Sequence, residues 1–90
     1  MSATAIAAVA PRWRSMVRGD VVSVVTYERP WVRTDAKVMD GSGSLVLRFL
    51  GRAGIPGLVV GRQIEAEGTA AFVRGVLVMI NPLYSFTRVG

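Results

Sequence analysis

The sequence predicts an all-β domain: a five-stranded Greek-key barrel with a short turn or helical plug between its third and fourth strands. Three observations lead there. Apolar and polar residues alternate in several short runs, β-branched residues crowd the first strand-like run, and Gly/Pro-rich stretches punctuate the chain. At 90 residues the chain supports one domain, with a core near the lower limit for folding unaided. Five strands in so short a chain bury enough surface only if the sheet closes on itself, which also removes its edges.

Residues 1–16 show no clean period and hold Pro11, so they read as a tail ahead of a domain spanning residues 17–88. Trp13 argues that part of the tail docks, as an extra strand or a short helical turn. Val21 to Tyr27, VVSVVTY, is the first strand, and Gly19 before it marks a bend or a close backbone approach. Pro30 ends that run because it has no ladder hydrogen bond to donate. Arg33 to Asp40 alternates, with Thr34, Ala36 and Val38 on one face and Arg33, Asp35, Lys37 and Met39 on the other. Asp40-Gly41-Ser42-Gly43 then turns the chain. Leu45, Leu47 and Phe49 point inward, Val46 and Arg48 outward.

Gly51 to Gly61, GRAGIPGLVVG, is the connection after the third strand, and its Ile55, Leu58 and Val59 suit a plug over an open end of the core. Arg62 to Ala70 alternates again, with Ile64, Ala66 and Gly68 inward. Phe72 to Gly75 reads as a hairpin loop or its edge. Val76 to Ile80 is the last strand, stopped by Asn81-Pro82, with Tyr84 and Phe86 anchoring the end. This order, broken after the third strand, is the strand order of an OB-fold.

Composition narrows the function. The chain has no cysteine, which excludes disulfides and thiolate metal sites, and no histidine, the commonest general base and metal ligand. Glu65 and Glu67 would share one side of an extended strand, an arrangement that also describes an ordinary solvated face. An enzyme is therefore not expected, and neither is a cofactor. The longest apolar run is too short for a membrane span, and the N-terminus lacks the basic start and long apolar centre of a secretory signal, so a cytoplasmic location is expected. Ten arginines and one lysine give a net charge of +5 and a pI near 11.1, the balance of a domain with a polyanionic partner. Arg18-Gly19-Asp20 spells an adhesion tripeptide but falls at a strand start, where chance is sufficient explanation.

Gly19-x-Val21, Asp40-Gly41-Ser42-Gly43-Ser44-Leu45-x-Leu47, Gly61, Gly68 and Asn81-Pro82-x-Tyr84 resemble the OB-fold family of nucleic-acid-binding domains, which includes anticodon-binding domains and the wedge domain of a branch-migration helicase. DGSGS, LGRAGI and NPLY are most similar to small stand-alone OB-fold proteins of actinobacteria, described as nucleic-acid- or DNA-binding. The resemblance covers about Met16 to Thr87. Where members of that family often carry further arginines, this chain has Ala53 and Leu83.

The resemblance implies binding of single-stranded nucleic acid, DNA ahead of RNA, across the outer face of strands two and three and the loops beside it. Parity places Arg33, Lys37, Met39, Val46 and Arg48 on that face. The first flanking loop offers Arg29 and Trp31, the second Phe72 and Arg74. Trp31 suits barrel capping as well as base stacking, and Phe72 suits the core. Asp35 stands among the cations and would repel phosphate. Little sequence preference is expected, since stacking and phosphate contacts carry little base information. The alternative is a protein-interaction or homo-oligomerisation module, kept open by an apolar excess at Val22, Val25, Val46, Leu50 and Leu83. DGSG itself lacks the Lys-Ser/Thr of a phosphate loop and the spaced oxygens of a calcium loop, so it reads as a hairpin corner.

Overall fold

A computed structural model of the chain describes residues 2–87. It contains a 3-10 turn at Ile6–Ala8 and six strands: β1 (Arg14–Tyr27), β2 (Arg33–Met39), β3 (Ser44–Leu50), β4 (Gln63–Val73), β5 (Val76–Ile80) and β6 (Leu83–Phe86). The fold is all-β. Antiparallel β1–β2–β3 leads to β5, which runs parallel to β3; β5 pairs with β4, and β4 returns to β1. Five strands thus close a ring, and β6 lies along the first half of β4. Among the described residues no helix is long and apolar enough to cross a membrane.

The ring closes because one strand serves two partners. β1 pairs through Arg14–Asp20 with β4 and through Asp20–Tyr27 with β2. A strand can bend that sharply only where side chains are absent or register slips. Gly19 supplies the first condition: a Cβ there would lie 2.6 Å from the Met39 carbonyl oxygen and 2.6 Å from a Val38 methyl carbon. A bulge at Val22 supplies the second, since Val21 faces Val38 while Ser23 faces Lys37. β1 is therefore twice as long as the expected Val21–Tyr27 run.

The expected β2–β3 hairpin is present in register, with Asp35 opposite Arg48 and Lys37 opposite Val46. Its inner face, Ala36, Val38, Leu45, Leu47 and Phe49, forms the core with Val17, Val21, Ile64, Ala66 and Met79. The plug is built of turns rather than helix: Ile55 and Leu58 are buried, whereas Val59 is exposed. Gly68 faces inward under Met79, whose sulfur would sit 3.2 Å from an added Cβ. Asn81, at φ 48°, accepts the Leu50 amide on its Oδ1 at 2.9 Å and redirects the chain. The chain then resumes as β6 instead of ending, and Phe49, Tyr84 and Phe86 pack edge to face at 5.3 and 5.8 Å.

The N-terminal segment is folded onto the ring, and DGSG holds it there. Asp40 Oδ1 accepts the Ser42 amide at 2.9 Å, the Ser42 hydroxyl at 2.6 Å and the Gly43 amide at 3.2 Å. Its Oδ2 accepts the amide of Ile6 at 2.8 Å, and Ser42 Oγ accepts that of Ala7 at 3.1 Å. Corner and clasp are one structure. Ile6 and Val9 consequently join the core, and Arg14 to Met16 belong to β1 rather than to a tail. The Ser42 hydroxyl first, then the Ile6 amide, hold the Asp40 carboxyl down from its ordinary 3.8 to about 2.

Two outcomes follow from these contacts. Gly19→Ala pushes a methyl into backbone that cannot yield cheaply, so it is expected to destabilise by roughly 1–3 kcal/mol in denaturant unfolding. Because the folded Asp40 pKa is depressed, its contribution is complete above pH 3.8 and lost as pH falls through about 2. Thermal melts of Asp40→Asn should thus be lower than wild type at neutral pH and converge with it toward pH 2.

Candidate nucleic-acid interface

The outer face of β2 and β3 is set by period-2 geometry: inward residues are consumed by the core, so Arg33, Asp35, Lys37, Met39, Val46 and Arg48 are left outside. Next to them lie residues of β1 that parity alone would bury. The bulge at Val22 reverses the facing of everything after it, so Val25 sits beside Asp35 and Tyr27 beside Arg33. Both are exposed. The Arg33 guanidinium stacks on the Tyr27 ring at 4.4 Å from its centroid.

The expected row of free cations is not what this face offers. Asp35 is its hub. Arg48 donates to both Asp35 oxygens, from Nε at 3.0 Å and from Nη2 at 3.1 Å, and Arg33 Nε approaches the same carboxylate at 3.6 Å. The three side chains are 27%, 15% and 19% exposed for Arg33, Asp35 and Arg48. The Asp35 hydrogen bonds hold the Arg48 pKa above its ordinary value, against the opposing effect of burial. Two cations and one anion leave a single net positive charge, fixed in place by a planar fork. Lys37, by contrast, is exposed and forms no ion pair among the described residues.

The flanking loops bring the remaining candidates to opposite ends. Gly51 N donates to Val32 O at 2.7 Å, tying the β1–β2 loop, with Arg29 and Trp31, to the end where Arg33 faces Leu50. Trp31 is 76% exposed, so it does not cap the end of the ring. At the other end β4 and β5 extend as a hairpin around Arg74 (φ 51°) and Gly75 (φ 81°), the two-residue turn with both positions left-handed. Phe72 is 64% exposed and is not a core residue. Phe72, Lys37 and Val46 line one cleft, so this hairpin does come to the β2–β3 face. Arg29 and Arg74 make no ion pair among the described residues.

Three of the other arginines are occupied elsewhere, while Arg12 and Arg52 are exposed and form no ion pair among the described residues. Arg14 pairs with Glu67 at 2.7 Å and Arg18 with Glu65 at 2.8 Å on the β1–β4 side, which accounts for the two neighbouring glutamates as a paired, solvated face. Arg62 lies over the Phe86 ring at 4.6 Å. No group of three or more Asp or Glu residues close enough to hold a metal ion occurs among the described residues. No known protein-family model matches this chain, and no curated protein is significantly similar to it.

Arg48 and Lys37 should separate cleanly in a stability assay. Arg48→Ala removes both hydrogen bonds from the largely buried Asp35 carboxylate, leaving only the longer Arg33 contact, and is expected to cost roughly 1–3 kcal/mol in urea unfolding. Lys37→Ala touches no partner and should stay within about 0.5 kcal/mol of wild type.

Proposed function

We propose that this chain is a non-catalytic binder of single-stranded nucleic acid, DNA ahead of RNA, and that its ring of strands is an OB-fold. The fold reading is supported by the closing order β1-β2-β3-β5-β4-β1, the parallel β3–β5 pair, and the turn-built segment between β3 and β4. One observation carries the functional reading. The β2–β3 face carries Lys37 toward its hairpin end and, at each end, an exposed aromatic two residues from an arginine: Trp31 with Arg29, and Phe72 with Arg74, none of the three cations having a carboxylate partner among the described residues.

Seven-residue strands span roughly 20 Å, enough for a short length of single strand. Bases stack on Trp31 and Phe72 for about 1–3 kcal/mol each, whatever their identity. Arg29, Lys37 and Arg74 neutralise phosphates, and the Arg33–Asp35–Arg48 cluster adds its one net charge while Tyr27 and Arg33 offer a second stacking platform. With three or four phosphates neutralised, the log–log salt slope should be roughly −2 to −3.

A second reading has its own support. Val32, Leu50 and Ile80 are exposed around the same face, with Leu50 opposite Arg33 and Ile80 opposite Arg48. Such residues suit a protein partner or a second copy of the chain. That interface would be insensitive to salt and would register as a dimer in light scattering.

Fluorescence anisotropy of a labelled oligo-dT at two salt concentrations decides between them. Binding should weaken about 5-fold or more in Trp31→Ala. Lys37→Ala and Arg74→Asn should weaken it too, the latter keeping a residue suited to left-handed backbone. Arg18→Ala removes the same charge from the β1–β4 side and should leave affinity near wild type. Absence of binding at low salt rejects the nucleic-acid reading, as does binding that Arg18→Ala weakens as much as Lys37→Ala.

A further inference from the structure

The cleft at the hairpin end has a volume of about 560 Å³, within the size range of sites that enclose a small molecule. Three unconnected pieces of chain wall it. Ile6 and Val9 come from the N-terminal turn, Val46 from β3, and Phe72, Val76 and Leu77 from the β4–β5 hairpin. Among the described residues lining it, Lys37 is the one that is charged, and Ser44 adds a hydroxyl. We propose that this cleft takes one nucleobase of the bound strand against Phe72, with the attached phosphate on Lys37 at the mouth. This rests on the nucleic-acid reading above and adds to it a defined subsite whose wall is the N-terminal segment.

Three features point to this occupant. The apolar walls call for a ligand with an apolar face, and Phe72 presents an aromatic ring that the fold leaves uncovered. Lys37, with no carboxylate partner among the described residues, calls for an anionic group attached to that ligand. Arg74 reinforces the charge from the hairpin tip. It occupies a left-handed position where Asn, Asp or Gly would sit with less strain, so the fold tolerates an arginine there at some cost. A planar, apolar-faced group carrying a phosphate meets these demands together, and the cleft opens onto the face along which the rest of the strand would run.

The wall also gives the Asp40 clasp a part in binding. Asp40 and Ser42 fix the Ile6 and Ala7 amides, and thereby fix the side of the cleft that Ile6 and Val9 form. Asp40 touches no ligand in this scheme and acts as a positioning residue.

The test is an amide NMR titration of the full chain with two oligomers of roughly 8 nucleotides. One is oligo-dT; the other is its abasic counterpart, which keeps the phosphates and lacks the bases. Oligo-dT should shift the amides of Gly43, Gly75 and Leu77, and the abasic strand should leave them in place. Ala7→Trp, which fills the cleft from an exposed position, should weaken oligo-dT binding about 5-fold while preserving the salt slope. Phe72→Ala should match it. If oligo-dT binds with the expected slope but the cleft amides stay still and Ala7→Trp binds as wild type, the subsite is wrong and the groove stands. If oligo-dT does not bind at all, both fall. Equal shifts from both oligomers would also overturn the subsite, since phosphates alone would then account for them.

Discussion

The rest of the structure depends on the passage of β1 past the Met39 carbonyl. A strand that pairs with β4 at one end and β2 at the other must turn its hydrogen-bonding edges through a large angle, and only a residue without a side chain fits at the crossing. Gly19 is that residue. If the crossing failed, the ring would open into a curved sheet with two long edges and a half-covered core. The bulge three residues later completes the bend and has a separate effect. It exchanges the two faces of the strand, so Val25 and Tyr27 lie on the outer face beside Asp35 and Arg33. Closure of the core and composition of the face are thus set within a few residues of one strand.

Charge on that face is organised rather than merely abundant. A basic surface of freely moving arginines would attract any polyanion and would lose side-chain entropy on binding it. Here Asp35 fixes the Arg48 fork and draws Arg33 over Tyr27, so the centre of the face is rigid and nearly neutral. The free charges lie at Lys37 and in the loops. Such a layout favours a ligand that contacts the surface at intervals, charge and ring in alternation, over one that is uniformly anionic.

Much of the fold was legible because period-2 alternation is a strong local signal. Thr34, Ala36, Val38, Leu45, Leu47 and Phe49 all face inward as their spacing requires, and Gly19 stands at a close approach. What was hidden depended on register or on distant partners. No property of Val22 announces a bulge, so Tyr27 was not identifiable as a surface residue. Ile6 and Val9 lack a periodic frame because they begin and follow a 3-10 turn whose Ile6 amide is anchored 34 residues away in sequence by Asp40. Asp35 was recognised as a countercharge, but its role as the hub of two arginines requires knowing that Arg48 lies directly opposite. Phe72 suits both the flanking loop and the core by sequence alone, and the hairpin carries it to an exposed position outside the core.

The double flanking of β4 gives the molecule an internal order of loosening. Residues 64–67 have β1 on one side and β6 on the other, while residues 70–73 carry β5. β6 is short and borders the ring on one side. The N-terminal segment, by contrast, is held by Asp40 and Ser42, by the Thr4 amide on the Met16 carbonyl, by the Arg12 amide on the Ala70 carbonyl, and by Ile6 and Val9 in the core. Local opening therefore starts with β6 and leaves the ring hydrogen-bonded, with β4 the last ladder to come apart. A protein built this way can loosen at an edge without bringing its global cooperativity into play.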